Sequence, residues 1–214
     1  MAGAGLARRG RDDHGSQDPI DLRATIAANL RAFERSESRA PAMRAAVAIT
    51  LVLDDDGEPA VPIFQRTETL RRHAGQMAIP GGRTHDGEDA TGAALRELEE
   101  ELGLRAEAVD VLGMLDDFDT VSGFTITPVV IWSGSPASQL RPSAEEVQQL
   151  FIVPVSMLRE AARAAGTGSA FSLNLPLVEV FAPTAAMLYQ FSEVALDGRS
   201  VRVADFFQPP WTHR

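Results

Sequence analysis

Three glutamates, Glu97, Glu100 and Glu101, lie within five consecutive residues of the chain. At about 100° per residue, their spacing places the three carboxylates on one face of an α-helix. Like charges on one helix face repel each other, so we expect a positively charged partner beside them. Carboxylate oxygens are the ligands that hard divalent cations prefer in proteins. The spacing therefore indicates a candidate site for a divalent metal ion.

The residues around these glutamates predict the helix that would position them. Gly81 and Gly82 follow Pro80 and should interrupt regular structure. Residues 89–102 contain no proline, and alanine, leucine, arginine and glutamate dominate them, which predicts a helix. A separate stripe of this helix is apolar and should be buried; it consists of Leu95, Leu98 and Leu102.

Composition limits the classes of function that fit the chain. Its 214 residues carry a formal net charge of -10, with a pI near 4.9. That charge argues against nonspecific binding to duplex nucleic acid. A small anionic substrate still fits, because local arginines and a bound metal can reverse the local field. The absence of cysteine excludes disulfides, thiol catalysis and cysteine-ligated zinc.

The sequence also predicts the domain organisation and the location of the protein. Residues 1–19 are rich in glycine, arginine and aspartate and predict a disordered tail. We expect residues 20–214 to form a single domain, which is long enough to bury a sizeable core. We find neither an apolar run of about 18 residues nor the apolar core of a secretory signal. We therefore expect a cytoplasmic protein that does not enter a membrane.

Apolar periodicity predicts the remaining elements. Helices are expected at 21–35, from 154 onward and at 184–195; strands at 45–53, 61–65, 109–115 and 124–132, with a strand pair or one bent strand at 171–181. Loops are expected at 116–120, which is acidic, and at 133–142. Because strands and helices do not alternate regularly, the fold class should be α+β or an α/β/α sandwich with a mixed sheet.

A basic segment, 66–74, precedes the glycines and contains Arg66, Arg71 and Arg72. One interpretation is a solvated loop, since loops are usually charged. The other is a cationic wall for phosphate, because the guanidinium group offers planar, forked donors. The position of the segment directly before Gly81 and Gly82 favours the second interpretation.

The central stretch resembles the Nudix box, G-x5-E-x7-R-E-U-x-E-E-x-G-U, at every fixed position. The matching residues are Gly82, Glu88, Arg96, Glu97, Leu98, Glu100, Glu101, Gly103 and Leu104. Nine specified positions at fixed spacing form a far more specific signal than a single glycine-rich loop. The resemblance implies an α/β/α sandwich and a hydrolase that cleaves nucleoside diphosphates linked to another moiety with Mg²⁺ or Mn²⁺.

The same resemblance implies roles for the residues of the box. Glu97, Glu100 and Glu101 would ligate the metal, and Arg96 would orient one of these carboxylates. In some members the glutamate matching Glu97 is the catalytic base; in others the base lies in a later loop. The implied candidates here are therefore Glu97 and the pair formed by Glu145 and Glu146, of which we choose Glu146.

Two further positions of the box have structural roles by the same resemblance. Glu88 would brace the loop that leads into the helix. Gly82 and Gly103 would be required by the backbone, and Gly103 stands where a helix C-cap glycine is expected.

A second match lies upstream, in Arg66-Thr67-x3-Arg71-x3-Gly75-x3-Ile79-Pro80-Gly81-Gly82. It is similar to the signature of coenzyme A pyrophosphatases, with Thr67 in place of serine and Ile79 in place of phenylalanine. The match implies that coenzyme A or a derivative is the substrate and that 3′,5′-ADP and 4′-phosphopantetheine are the products. The implied substrate-binding residues are Arg66, Arg71, Arg72, Gly81 and Gly82.

Alternative functions remain open at the level of sequence. A Nudix hydrolase specific for ADP-ribose or a dinucleotide would share the box and differ in its recognition loops. A non-catalytic Nudix-fold binding module would be expected to have a degraded box, whereas every acidic position is intact here. The resemblance also implies a homodimer, because many relatives are dimers.

Overall fold

The computed structural model describes residues 18–40, 42–68, 74–166, 171–176 and 178–209. The α-helices are α1 (Pro19–Ala32), α2 (Ala90–Leu102), α3 (Val155–Ala164) and α4 (Thr184–Gln190). The strands are β1 (Met43–Leu53), β2 (Pro59–Arg66), β3 (Met77–Ala78), β4 (Gly81–Arg83), β5 (Val111–Met114), β6 (Phe118–Asp119), β7 (Phe124–Pro136), β8 (Val147–Pro154), β9 (Ser172–Asn174) and β10 (Glu179–Phe181).

Within these ranges, eight strands form one mixed sheet with the order β3-β2-β1-β7-β5. The long central strands β1 and β7 are parallel, and every other pairing in the sheet is antiparallel. Strand β4 pairs with the first half of β1, while β8 extends the edge beside β2. Strands β9 and β10 form a separate antiparallel pair, as one of the two sequence-based alternatives predicted.

Helices cover both faces of the sheet, so the predicted α/β/α arrangement is confirmed. Along β1, Val47 and Ile49 belong to the core shared with α1, α3 and α4. Ala46 and Ala48, which alternate with them, belong to the core under α2, together with Leu98. Successive strand residues point to opposite faces, so the apolar run of β1 buries side chains in both layers.

Helix α1 begins two residues before its predicted start and ends earlier than predicted. The Asp18 carboxylate accepts a hydrogen bond from the Ile20 N–H at 2.8 Å, which is a side-chain N-cap, and Pro19 occupies a position where its missing N–H costs nothing. The tail predicted at residues 1–19 lies outside the described residues except for Asp18 and Pro19. That tail and the single domain at residues 20–214 stay predictions.

Two predicted loops form partly regular structure. Strand β7 continues past Trp132 to Pro136 because its parallel pairing with β1 persists, after a register shift, to the partners Leu53 and Pro136. In the acidic loop, Phe118 and Asp119 pair with β7. The predicted C-terminal helix also changes form, since the α-helical turns at 184–190 continue as a π-helix at 191–196.

Of the helices in the described part of the chain, none is both long and apolar enough to span a membrane.

Candidate active site

Helix α2, which carries the box glutamates, is fixed at both ends by its own sequence. At its start the Asp89 carboxylate accepts a hydrogen bond from the Gly92 N–H at 2.7 Å. At its end Gly103 has a φ of 63°, a left-handed conformation that suits glycine. The Gly103 N–H donates to the carbonyl of Glu99 at 2.9 Å, so the predicted C-cap is confirmed.

The helical spacing predicts that the three box glutamates share one face of α2. In the structure their side chains instead differ strongly in exposure. The Glu101 side chain is 1% exposed, whereas those of Glu97 and Glu100 are 13% and 55% exposed. Glu101 is buried because it faces strand β4, where its Oε2 accepts a hydrogen bond from the Gly81 N–H at 3.0 Å. Tertiary packing against Gly81 therefore divides carboxylates that helical periodicity alone places together.

Gly82 is required by the closeness of Glu97 rather than by an unusual backbone conformation. A Cβ atom on Gly82 would lie 2.0 Å from Glu97 Oε1 and 2.5 Å from its Cδ. No real Cβ tolerates such a contact, so any other residue at this position would displace the Glu97 carboxylate. The first glycine of the box thus makes space for the Glu97 side chain, whereas the sequence analysis described this glycine only as a backbone requirement.

Arg96 contacts three carboxylates, those of Glu88, Glu97 and Glu100. Its Nη1 donates to Glu97 Oε1 at 2.7 Å and to Glu100 Oε2 at 3.0 Å. Its Nε and Nη2 donate to the two oxygens of Glu88, at 3.0 and 3.1 Å. The Glu88 carboxylate also accepts from the backbone N–H of His85, and these hydrogen bonds, that of Arg96 first, lower the pKa of Glu88. This geometry gives Glu88 a bracing position and places Arg96 beside the carboxylates.

Arg66 connects Glu101 of helix α2 to Glu146, which lies in the loop before strand β8. Its Nη1 donates to Glu101 Oε1 at 3.0 Å, and its Nη2 donates to Glu146 Oε2 at 3.1 Å. The loop is tied to the end of α2 by the Ser143 N–H, which donates to the Glu101 carbonyl at 2.9 Å. Glu146 therefore reaches the box helix, while the residue Glu145 beside it is exposed.

Burial raises the pKa of two carboxyl groups at this centre. It is the main cause that brings the pKa of Glu101 from 4.5 to about 8, and a hydrogen bond with the Glu146 carboxyl adds to it. Burial likewise raises the pKa of Glu97, against the opposing effect of Arg96. The charges of Glu100 and Glu146 contribute further to that increase. The nearby arginines therefore do not fully compensate the cost of burying the ionised forms of Glu97 and Glu101.

The carboxylates fit a divalent cation by their chemistry, although not as a preformed site. In the part of the chain that the structure describes, no three acidic or histidine side chains converge as a ready metal site. Arg66 and Arg96 instead bridge the carboxylates in pairs. The donor set is all carboxylate oxygen, as hard cations require, and an ionised carboxylate has lone pairs beyond those that a guanidinium uses.

A cavity of about 360 Å³ adjoins the carboxylates. Arg66, Gly81 and Gly82 line it, and each of these residues also lies against Glu97 or Glu101. The rest of its lining comes from β1, residues 76–79, Arg83, the turn between β6 and β7, the first residues of β7, the start of α4 and Gln208. The cavity can therefore receive one part of a molecule whose reacting bond lies at the carboxylates.

Most, but not all, of the predicted site residues lie at the carboxylates in the structure. It brings Glu97 and Glu100 together on Arg96, and Glu101 and Glu146 together on Arg66. The adjacent residues Gly81 and Gly82 lie against Glu101 and Glu97, so they stand between the two groups. Both side-chain arms of Arg66 contact carboxylates, so its predicted phosphate binding stays a prediction. Arg71 and Arg72 lie outside the described residues.

Sequence reasoning missed the cavity residues Arg83 and Phe124, which form a stacked pair. Their separation in the sequence left no signal of the contact, and only the position of Arg83 directly after Gly82 could have suggested it.

Comparison with models of known protein families identifies the family of this chain. Residues 42–172, more than half of the chain, match the family model described as NUDIX domain. The chain belongs to the Nudix family. The matched region includes the box, strand β8 and Glu146, whereas α4 and Gln208, which line the cavity, follow it.

Relatives and solved structures carry the same family name. The chain is 41% identical to an uncharacterized Nudix hydrolase NudL of Escherichia coli over 53% of this chain and 58% of the relative. It is 43% identical to NudL of Cronobacter sakazakii over 46% of this chain and 52% of the relative. The match thus spans about half the length of these relatives. A NUDIX hydrolase from Alicyclobacillus acidocaldarius aligns over 81% of this chain and all of its own, with 16% identity and a TM-score of 0.48.

Proposed function

We propose that this chain is a metal-dependent pyrophosphohydrolase that cleaves coenzyme A into 3′,5′-ADP and 4′-phosphopantetheine. The observation that carries the reaction class is the contact between Glu146 and the box helix, mediated by Arg66. It assembles metal-type ligands and a candidate base at one point, beside a cavity. Assembly of this kind is what a hydrolase of phosphoric anhydrides requires.

Glu97, Glu100 and Glu101 would hold the divalent cation, Mg²⁺ or Mn²⁺. When bound, the cation lowers the pKa of a water molecule and stabilises charge on the phosphate oxygens. The raised pKa values of Glu97 and Glu101 support this assignment, because a cation compensates buried carboxylates that guanidinium groups compensate incompletely.

Glu146 is our candidate for the group that accepts the proton of the attacking water. Its side chain is 38% exposed, so water can reach it, whereas that of Glu97 is 13% exposed and held by Arg96. Arg66 fixes the position of the Glu146 carboxylate through Oε2. A base must lie within hydrogen-bond reach of the proton that it takes.

Arg96 and Arg66 act, in this proposal, as positioning residues. Arg96 links three carboxylates of the box and its entry loop. Its hydrogen bond with Glu88, and after that its hydrogen bond with Glu97, raises its pKa against the effect of burial, so it stays protonated. Arg66 does the same for Glu101 and Glu146. These contacts hold the carboxylates near the orientation they need, which limits the entropy lost in the reaction.

The choice of coenzyme A depends on the upstream segment and the cavity. The segment from Arg66 to Gly82 is similar to the coenzyme A pyrophosphatase signature, and its described ends line the cavity. A volume of about 360 Å³ accommodates part of such a molecule, and it lies within the usual range for ligand sites. The homodimer and the cytoplasmic location remain predictions from the sequence.

A substrate panel tests the proposal. The purified chain is incubated with Mg²⁺ or Mn²⁺ and one of three substrates: coenzyme A, ADP-ribose or a diadenosine polyphosphate. Products are identified by mass spectrometry. We expect 3′,5′-ADP from coenzyme A with a kcat/KM at least about tenfold above that for the other substrates, or about 1.4 kcal/mol of transition-state discrimination. Turnover of ADP-ribose without turnover of coenzyme A would show that ADP-ribose is the substrate and that the assignment of coenzyme A is wrong. No turnover with either metal would favour a binding module.

A further inference from the structure

The cavity beside the carboxylates differs in charge from the rest of the protein. Among the described residues, its lining includes Arg66 and Arg83 and no aspartate or glutamate. The whole chain has a net charge of -10, whereas this lining contains no acidic side chain. Because Glu101 and Glu146 compensate Arg66, Arg83 is the basic side chain of the described lining that no carboxylate compensates, and it favours an anionic group on the ligand.

Strand β4 places Arg83 in this cavity and away from the box helix. Side chains alternate along a strand, and the Cβ position of Gly82 points at Glu97. Arg83 therefore points to the opposite face, the face of its antiparallel partner Ala45, which also lines the cavity. The diphosphate and Arg83 would thus lie on different sides of Gly82, so Arg83 suits a second anionic group.

Arg83 is held in place without losing its capacity to bind an anion. Its guanidinium carbon lies 4.8 Å from the centroid of the Phe124 ring, which restricts the guanidinium plane. Arg83 forms no ion pair or side-chain hydrogen bond within the described residues. In contrast, Arg66 and Arg96 each contact two or more carboxylates. The N–H donors of Arg83 are therefore available to a ligand.

The wall next to Arg83 is polar and firmly held. The hydroxyls of Thr120 and Ser122 are 2.9 Å apart, and both residues line the cavity. The Gln208 amide donates to the Asp119 carbonyl at 3.0 Å and accepts from the Val121 N–H at 3.2 Å. Hydroxyl and guanidinium groups beside an aromatic ring suit a phosphorylated nucleoside better than they suit a flexible alkyl chain.

We propose that Arg83, held on the Phe124 ring, binds the 3′-phosphate of the nucleotide half of the substrate and so determines specificity. The inference rests on the proposed function, because coenzyme A carries this third phosphate whereas ADP-ribose and 3′-dephospho-coenzyme A do not. The forked guanidinium donors match a phosphate monoester, which carries more charge per group than the diphosphate linkage.

The test compares coenzyme A with 3′-dephospho-coenzyme A in the wild type and in Arg83→Ala. We expect the substitution to lower kcat/KM for coenzyme A about 10- to 100-fold, mainly through KM, and to leave that for 3′-dephospho-coenzyme A within about twofold. Arg83→Lys should recover part of the loss, since it restores charge without the fork. Phe124→Leu should act in the same direction with a smaller effect. Arg105→Ala, an exposed arginine on the box-helix side, is the matched control.

Each outcome decides the inference. Equal losses for both substrates, or no loss for either, would overturn it. Should the wild type cleave neither substrate, the proposed function fails, and calorimetric binding of 3′,5′-ADP and AMP then tests Arg83 separately. The inference predicts that Arg83→Ala weakens the binding of 3′,5′-ADP and leaves that of AMP unchanged; any other pattern contradicts it.

Discussion

Replacement of Glu101 by glutamine should stabilise the metal-free protein increasingly as pH rises. Burial and Glu146 raise the pKa of Glu101 in the folded state to about 8, against 4.5 when it is free of these effects. Between those values the folded protein holds a proton that the unfolded chain has released. The free energy of unfolding therefore falls as pH rises through this window.

The magnitude follows from the same two pKa values. Each pH unit inside the window lowers the free energy of unfolding by about 1.4 kcal/mol at most. Glutamine resembles the protonated acid and does not titrate, so Glu101→Gln removes this dependence. Its oxygen can still accept the hydrogen bond of the Gly81 N–H. We expect the stability of the variant minus that of the wild type to increase by up to about 4 kcal/mol between about pH 5 and pH 8.

Urea unfolding in the presence of EDTA measures this difference at several pH values. Lost contact with Arg66 shifts all values of the variant by a constant and leaves the slope unchanged. Glu99→Gln, at an exposed position on the same helix, is the control for replacing a glutamate by glutamine. A stability difference for Glu101→Gln that is equal at all pH values would refute the reasoning about its burial.

Further predictions concern the glycines. Gly82→Ala forces Glu97 to move, so we expect a fall in kcat with a small change in melting temperature, whereas Gly81→Ala meets backbone and should lower the melting temperature itself. Gly103→Ala should destabilise the fold by more than about 1 kcal/mol, because a left-handed residue there also meets Arg141. Gly57→Ala, with a φ of 81° and open space around it, is its control and should cost less.

Secondary structure could be predicted from the sequence where residues within a single element determine it. The C-cap of α2 depends on Gly103 alone, and the buried strand β1 depends on its own apolar run. Short-range chemistry of this kind is written in neighbouring residues. The spacing of the box glutamates is also local, but their role as metal ligands stays a prediction.

Contacts between distant segments were harder to predict. Burial of Glu101 depends on Gly81, which lies 20 residues before it, and Glu146 meets Arg66 across 80 residues. Gln190 similarly binds the acidic loop at Asp116 from 74 residues away, which orders a segment that reads as an exposed loop. Such pairings follow from the sheet topology and have no local signature.

We propose that the box carboxylates, with a divalent cation, hydrolyse a phosphoric anhydride. The most direct measurement is metal-dependent release of 3′,5′-ADP from coenzyme A by the wild type, Glu97→Gln and Glu99→Gln. We expect no release in EDTA, release with Mg²⁺ or Mn²⁺, a loss of about 100-fold or more for Glu97→Gln, and wild-type rates for Glu99→Gln. Wild-type turnover by Glu97→Gln, or equal rates with and without metal, would contradict it.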